Sequence, residues 1–373
     1  MVKHRIRKLI IILAGAACVC LLALRLAGRI RADLYFGKKA EAGNSFKNGI
    51  VMEKAFFSGK GQESAGVPGS DIPDVNTWGT GYIKEIDFGY QVFATQEDII
   101  HTGRLYHLER LRIGIRDDEL DLAPLGYLRE LKELSIYISS ECNPDLSFME
   151  KLEKLEKLNI QTGESVDLSP LGSLSGLKEF SMAYQDVPDL SFLKKLDQLE
   201  EVTMIKVSGL KDISCFQDMV NLKSLNISYV DDVDLEYLRK CENLESINIA
   251  GQNIRNPEVL ANMAQLRSLY LNNIYQGQDA FDLSPLAQLP ELDSVMLIYL
   301  PIEDVSPLAE ADSLTFICLA GTCVEDISPL KDLELDDLWI FGNKSEKVRK
   351  QAEEYFNDIY DLVVEEAVPE NSL

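Results

Sequence analysis

From residue 83 onward the apolar residues recur in one order, Leu-x-x-Leu-x-Leu. Clear copies are Leu131/Leu134/Ile136, Leu155/Leu158/Ile160, Leu222/Leu225/Ile227, Leu266/Leu269/Leu271 and Leu314/Ile317/Leu319. The last two apolar residues of each copy alternate with other side chains, the period of a short strand with one buried face. Weaker copies at Ile83/Ile86/Phe88, Leu108/Leu111/Ile113 and Leu335/Leu338/Ile340 bring the number of coils to about twelve. A second phrase stands ahead of most copies. It reads Asp121-Leu-Ala-Pro-Leu125, Asp167-Leu-Ser-Pro-Leu171, Asp282-Leu-Ser-Pro-Leu286, Asp304-Val-Ser-Pro-Leu308 and Asp326-Ile-Ser-Pro-Leu330, with weaker versions between, at steps of 22 to 26 residues.

One coil shows what the pattern means. Leu283, Leu286, Leu289 and Leu292 recur every three residues, which suits a 3₁₀ turn whose side chains three apart point the same way. Ser284 is expected to cap that turn, and Pro285 takes the first position, where no N–H is needed. A single coil cannot enclose its own leucines. Stacked coils bury them between neighbours, with strands about 4.8 Å apart in a parallel sheet.

These phrases resemble those of leucine-rich-repeat proteins, and the 22-residue Asp-[Ile/Leu/Val]-Ser-Pro-Leu unit is similar to the internalin-type bacterial class. The resemblance covers residues 83–343. It implies an α/β leucine-rich-repeat solenoid, a horseshoe with a parallel concave sheet and short 3₁₀ turns on the convex side. The chain departs from the class at the asparagine that usually follows the last strand leucine by three residues. That place holds Arg116, Ser139, Gly163, Gln185, Val207, Val230, Gln252, Ile274, Leu300 and Thr322, and only Asn343 fits.

The two ends read differently. A basic tail, 1–8, precedes the uncharged run Leu9–Leu24, which Arg25 extends by snorkelling to Gly28. Segment 9–28 is expected to be an uncleaved transmembrane signal anchor, with secretion after signal cleavage as the alternative. The orientation expected is a single pass with the repeats outside the cytoplasm. Residues 29–82 read as a linker and N-terminal cap. In 344–373, Ser345 is placed to cap a helix with Val348, Ala352, Tyr355, Phe356, Ile359, Leu362 and Val363 on one stripe. Such a helix would shield the last coil.

Charge narrows the partners. The chain has 61 acidic and 37 Lys or Arg residues, a net charge of -24. Nine of the basic residues lie in 1–39 with one acid, so 40–373 carries 28 basic against 60 acidic residues, about -32. A body that negative repels phosphate backbones, so no nucleic-acid partner is expected. No phosphate loop, nucleophile elbow or zinc motif is present, and the three histidines (His4, His101, His107) have no cysteine cluster near them. No catalytic activity and no cofactor are expected. The column of Asp residues that opens the repeats is unlike a calcium site, because a position repeated in almost every coil is architecture, here a side chain accepting backbone N–H groups.

The candidate site lies on the concave strand positions between the leucines. Early coils place Glu85 and Asp87, Arg110 and Arg112, Glu133 and Ser135, and Lys157 and Asn159 there; later ones turn to Ser224, Asn226, Ser246 and Asn248. The character then changes to Tyr270, Met296 and Ile298, Phe316 and Cys318, and Trp339 and Phe341. The longest repeat inserts residues near Tyr275, and Tyr184, Tyr229 and Tyr299 sit on the rim. Apolar residues on a face that should be wet mark an interaction surface. The expected partner-binding residues are Tyr270, Tyr275, Met296, Ile298, Tyr299, Phe316, Trp339 and Phe341. The other interpretations of this cluster are that the C-terminal cap folds back over Trp339 and Phe341, or that the strand assignment slips at the last coils. The expected function is a non-catalytic module recognising a protein partner, as the resemblance implies; the alternative is a structural or regulatory subunit of a cell-envelope complex.

Overall fold

A computed structural model describes residues 84–89, 93–162, 166–186, 190–208, 210–273, 280–343, 345–356 and 361–363. The predicted tail, anchor and linker (1–82), Tyr275 and its insertion, and residues 364–373 lie outside the described residues. Among the described residues no helix is long and apolar enough to cross a membrane.

Thirteen parallel strands form one open sheet in sequence order. The twelve repeats supply β1 (Glu85–Asp87), β2 (Arg110–Ile115), β3 (Glu133–Ile138), β4 (Lys157–Gln161), β5 (Glu179–Asp186), β6 (Glu201–Ser208), β7 (Ser224–Val230), β8 (Ser246–Gly251), β9 (Ser268–Asn273), β10 (Ser294–Ile298), β11 (Phe316–Ala320) and β12 (Asp337–Trp339). The leucine-rich-repeat solenoid expected from the sequence is the fold observed. Leu225, Ile247, Leu269, Val295, Ile317 and Leu338 stand in register across six strands, all buried. Opposite the strands, 3₁₀ turns such as Ser284–Gln288 and Ser306–Glu310 bring Leu286 and Leu308 into the same core.

The turns are opened by Asp, not Ser. The Asp282 carboxylate accepts the Ser284 backbone N–H at 2.9 Å, and the Ser284 hydroxyl donates to the same carboxylate. The same Asp-to-N–H bond recurs at Asp121, Asp145, Asp167, Asp212, Asp234, Asp304 and Asp326. The expected serine cap is therefore corrected: the hydroxyl is a donor to the aspartate, which satisfies the turn's orphan N–H.

The loop asparagine is replaced by main-chain pairing and apolar packing. Val207, Val230 and Leu300 occupy its place as buried core residues, and bonds such as Ser139 N–H to Ile115 O and Gln252 N–H to Val230 O join successive loops. Asn343, the one residue that fits, is buried and donates to Val324 O at 2.8 Å.

Two features at the ends were not expected. In the first coil a helix, α1 (Gln96–Thr102), replaces the 3₁₀ turn, and Thr95 and Asp98 form a capping box at its start. At the other end Ser345 caps α2 (Glu346–Tyr355) by accepting from Val348 N–H, as predicted. That helix stops at Tyr355. Leu362 and Val363 belong instead to β13 (Asp361–Val363), which pairs with β12 through Val363 opposite Trp339. The C-terminal segment thus extends the sheet beside Trp339.

Asp326 ties α2 to the last coil, with Lys347 Nζ at 2.7 Å and Gln351 Nε2 at 2.8 Å. The Lys347 bond, then the Ser328 and Gln351 bonds, hold the Asp326 carboxyl well below the usual carboxylate range. A depressed folded-state pKa contributes stability that is complete above the unfolded-state value, about 3.9, and is lost as pH falls toward the folded value. Acid unfolding of the C-terminal end, followed by tryptophan fluorescence, should be steep below about pH 4 and shallower in Asp326→Asn. Equal acid profiles would show that Asp326 does not clamp the helix.

Candidate interaction face

Because side chains alternate along a strand, every strand sends one set into the leucine core and the other onto the concave face. The register lines the second set up in columns. The first runs Glu85, Arg110, Glu133, Lys157, Glu179, Glu201, Ser224, Ser246, Ser268, Ser294, Phe316 and Asp337. The second runs Asp87, Arg112, Ser135, Asn159, Ser181, Thr203, Asn226, Asn248, Tyr270, Met296, Cys318 and Trp339. The face therefore has three zones: charged, small and polar, then apolar.

The charged zone neutralises itself. Arg110 bonds Glu85 at 2.7 Å, Arg112 bonds Asp87 at 2.7 Å, and Lys157 pairs with Glu179. Each of these charges is already paired with a neighbour, and exposed pairs such as Arg110–Glu85 contribute little.

In the apolar zone Tyr270, Met296, Ile298, Phe316, Cys318 and Ala320 form a hydrophobic cluster separate from the leucine core. Tyr299, Trp339 and Phe341 pack against it half-buried. The Phe316 and Trp339 rings meet edge to face with centroids 5.2 Å apart, a favoured aromatic geometry. The structure thus brings together seven of the eight predicted residues; Tyr275 and the Tyr184 side chain lie outside the described ones.

The expectation of a wet apolar surface needs correction. Tyr270, Met296, Ile298 and Phe316 are only 4–9% exposed. Large side chains one strand apart cover one another, so the accessible apolar surface belongs chiefly to Tyr299, Trp339 and Phe341. Burial also pushes the Tyr270 hydroxyl pKa up, with the bond from Asn272 opposing it.

Tyr299 owes its place to backbone geometry. It has a left-handed φ of 54°, and its ring lies over Gly321, where an added Cβ would meet ring carbons at 2.4 and 2.6 Å. Gly321 itself has φ +61°, a conformation glycine adopts without penalty. The close approach and the positive φ both require a residue without a side chain.

Three polar atoms bordering this zone are buried without a hydrogen-bond partner: Ser268 Oγ, Asn272 Oδ1 and Trp339 Nε1. Buried polar groups are nearly always paired, so each orphan asks for an explanation. Among the described residues no group of three or more His, Cys, Asp and Glu is placed to hold a metal ion. Cys142, Cys215, Cys241 and Cys318 are buried and Cys323 is exposed, all five outside any disulfide. Burial pushes Cys215 and Cys241 up to about 12, which leaves them unreactive at neutral pH.

No family model matches the chain. No curated protein matches it either. Solved structures do. An internalin of Listeria monocytogenes superposes with a TM-score of 0.61 at 23% identity, over 77% of this chain and 82% of that one. The Toll–Spatzle complex of Drosophila superposes with a TM-score of 0.53 at 14% identity, over 71% of this chain and 37% of that one. At these identities the likeness establishes the fold, an internalin-like leucine-rich-repeat solenoid.

Proposed function

We propose that the protein is a non-catalytic recognition module that binds a protein partner through the C-terminal half of its concave face. The observation that carries this reading is the second hydrophobic cluster. The solenoid's leucine core between sheet and turns does not include this cluster, and its half-buried members Trp339 and Phe341 leave ring surface open on the other face. Half-buried aromatics beside orphaned polar atoms have the composition of an interface centre. The Drosophila neighbour was solved as the Toll–Spatzle complex, which agrees with such a use of the fold. Capture of a protein from cells by the full-length chain tests the reading. Trp339→Ala and Phe341→Ala should reduce a capture that Val220→Ala, an exposed position away from the cluster, retains in full. Equal capture by all three would overturn it.

We further propose that 9–28 holds the chain in a membrane with the repeats outside the cytoplasm. The basic tail followed by an uncharged apolar run supports this. The mature protein should begin at or near Met1 and fractionate with membranes. A soluble form starting between residues 25 and 45 would identify a cleaved signal instead.

A further inference from the structure

The residue just before each strand makes a third column, joined by backbone bonds from coil to coil: Lys84, Glu109, Lys132, Glu156, Lys178, Glu200, Lys223, Glu245, Arg267 and Asp293. Its charges alternate without a break. The first concave column alternates in opposite phase, Glu85, Arg110, Glu133, Lys157, Glu179, so five coils carry a checkerboard in which each charge has opposite neighbours both along and across. The pattern fails at one square. Glu201 follows Glu179 where a cation is due, it stands beside Glu200, and the next residue in its column is Ser224.

Lys157 is taken by Glu179, and Lys223 by Glu200. Glu201 is exposed and makes no ion pair among the described residues. Desolvation, and then the Glu179 charge, raise its pKa, against the nearby Lys157 and Lys223 charges. Both lysines are ion-paired to other carboxylates, so a cation brought to Glu201 would be its first direct ion-pair partner among the described residues. It stands where the self-neutralised zone ends and the polar zone begins. From there Ser224, Ser246, Ser268 and Phe316 continue in its own column toward the apolar cluster. Ser268 is 5% exposed and its Oγ has no partner. A buried hydroxyl facing this track without a partner is a second sign that something polar completes it.

Resting on the reading above, we infer that the partner presents an extended segment that crosses β6 to β11, with a basic side chain at Glu201 and an aromatic or large apolar side chain at Phe316 and Trp339. Backbone N–H and C=O groups between the two anchors meet the serine and asparagine columns. Five strand steps separate Glu201 from Phe316, about 24 Å at about 4.8 Å each, which an extended chain covers in about seven residues. Two anchors at that spacing set the specificity. The acidic body draws the basic segment in.

An array of synthetic Gly/Ser dodecapeptides tests this, each carrying one Arg and one Phe in either order at separations of two to ten. The probe is the full-length chain in detergent. Binding should peak at a separation of six to eight and fall when Arg is replaced by Glu. Glu201→Gln should lose the Arg preference while keeping that for Phe, and Trp339→Ala should lose the Phe preference. A flat response to separation, or an Arg preference unchanged in Glu201→Gln, overturns the two-anchor inference and leaves the apolar site standing. Binding indifferent to Trp339→Ala overturns the apolar site itself.

Discussion

Replacing Ile317 with alanine should cost about 2–5 kcal/mol of stability, the range for emptying a buried aliphatic site. Ile317 is fully buried in the centre of the interior column, with Val295 and Leu338 in register on either side. Both neighbours are fixed by the backbone pairing of their own strands, so the gap left by the shortened side chain cannot close by a shift of one residue. In a solenoid each coil rests only on its neighbours, and a loosened coil weakens two interfaces. Urea denaturation of the full-length chain, followed by far-ultraviolet circular dichroism, should show the midpoint fall. A loss below about 1 kcal/mol would mean the interior relaxes around the cavity.

Trp339→Ala should weaken partner binding by about 2 kcal/mol, roughly thirtyfold in Kd. Its ring packs edge to face on Phe316 and borders Cys318, and its indole N–H has no partner in the free protein. The half-buried ring is what a partner would cover, and the alanine variant forfeits it. Phe316→Ala is a different case. Phe316 is nearly buried in the concave cluster, so its removal should lower stability as well as binding. Position 317 should change stability first and position 339 binding first. Isothermal titration beside the same urea curves separates them; a Trp339→Ala protein that loses stability like Ile317→Ala yet binds at native affinity would make Trp339 part of the scaffold.

Much of this architecture is written openly in the chain, for a physical reason. Leu283, Leu286 and Val295 are buried only when a second coil supplies the same residues one repeat later, so the repeat must be explicit. Ser345 announces its helix in the same local way. The end of that helix is not announced, because Ile359, Leu362 and Val363 prolong the helical spacing, and only pairing with β12 makes Asp361–Val363 a strand. The helix α1 had a signal, Thr95 with Asp98 three residues on. The charge checkerboard had none in any short window. Partners such as Glu85 and Arg110 are a whole coil apart, and only the register reveals the alternation and its failure at Glu201. Alternation also named the face on which Met296 and Phe316 lie, but not that neighbouring rings bury them.

The proposed partner sits on the concave apolar zone. Photo-crosslinking from single positions of the full-length chain tests this placement most directly, with Phe341 or Tyr127 replaced by a benzoylphenylalanine. Phe341 is half-buried beside the cluster, whereas Tyr127 is 63% exposed on the row of 3₁₀ turns opposite the sheet. The account predicts one strong adduct with a partner from position 341 and none from position 127. An adduct from position 127 with none from 341 would contradict it.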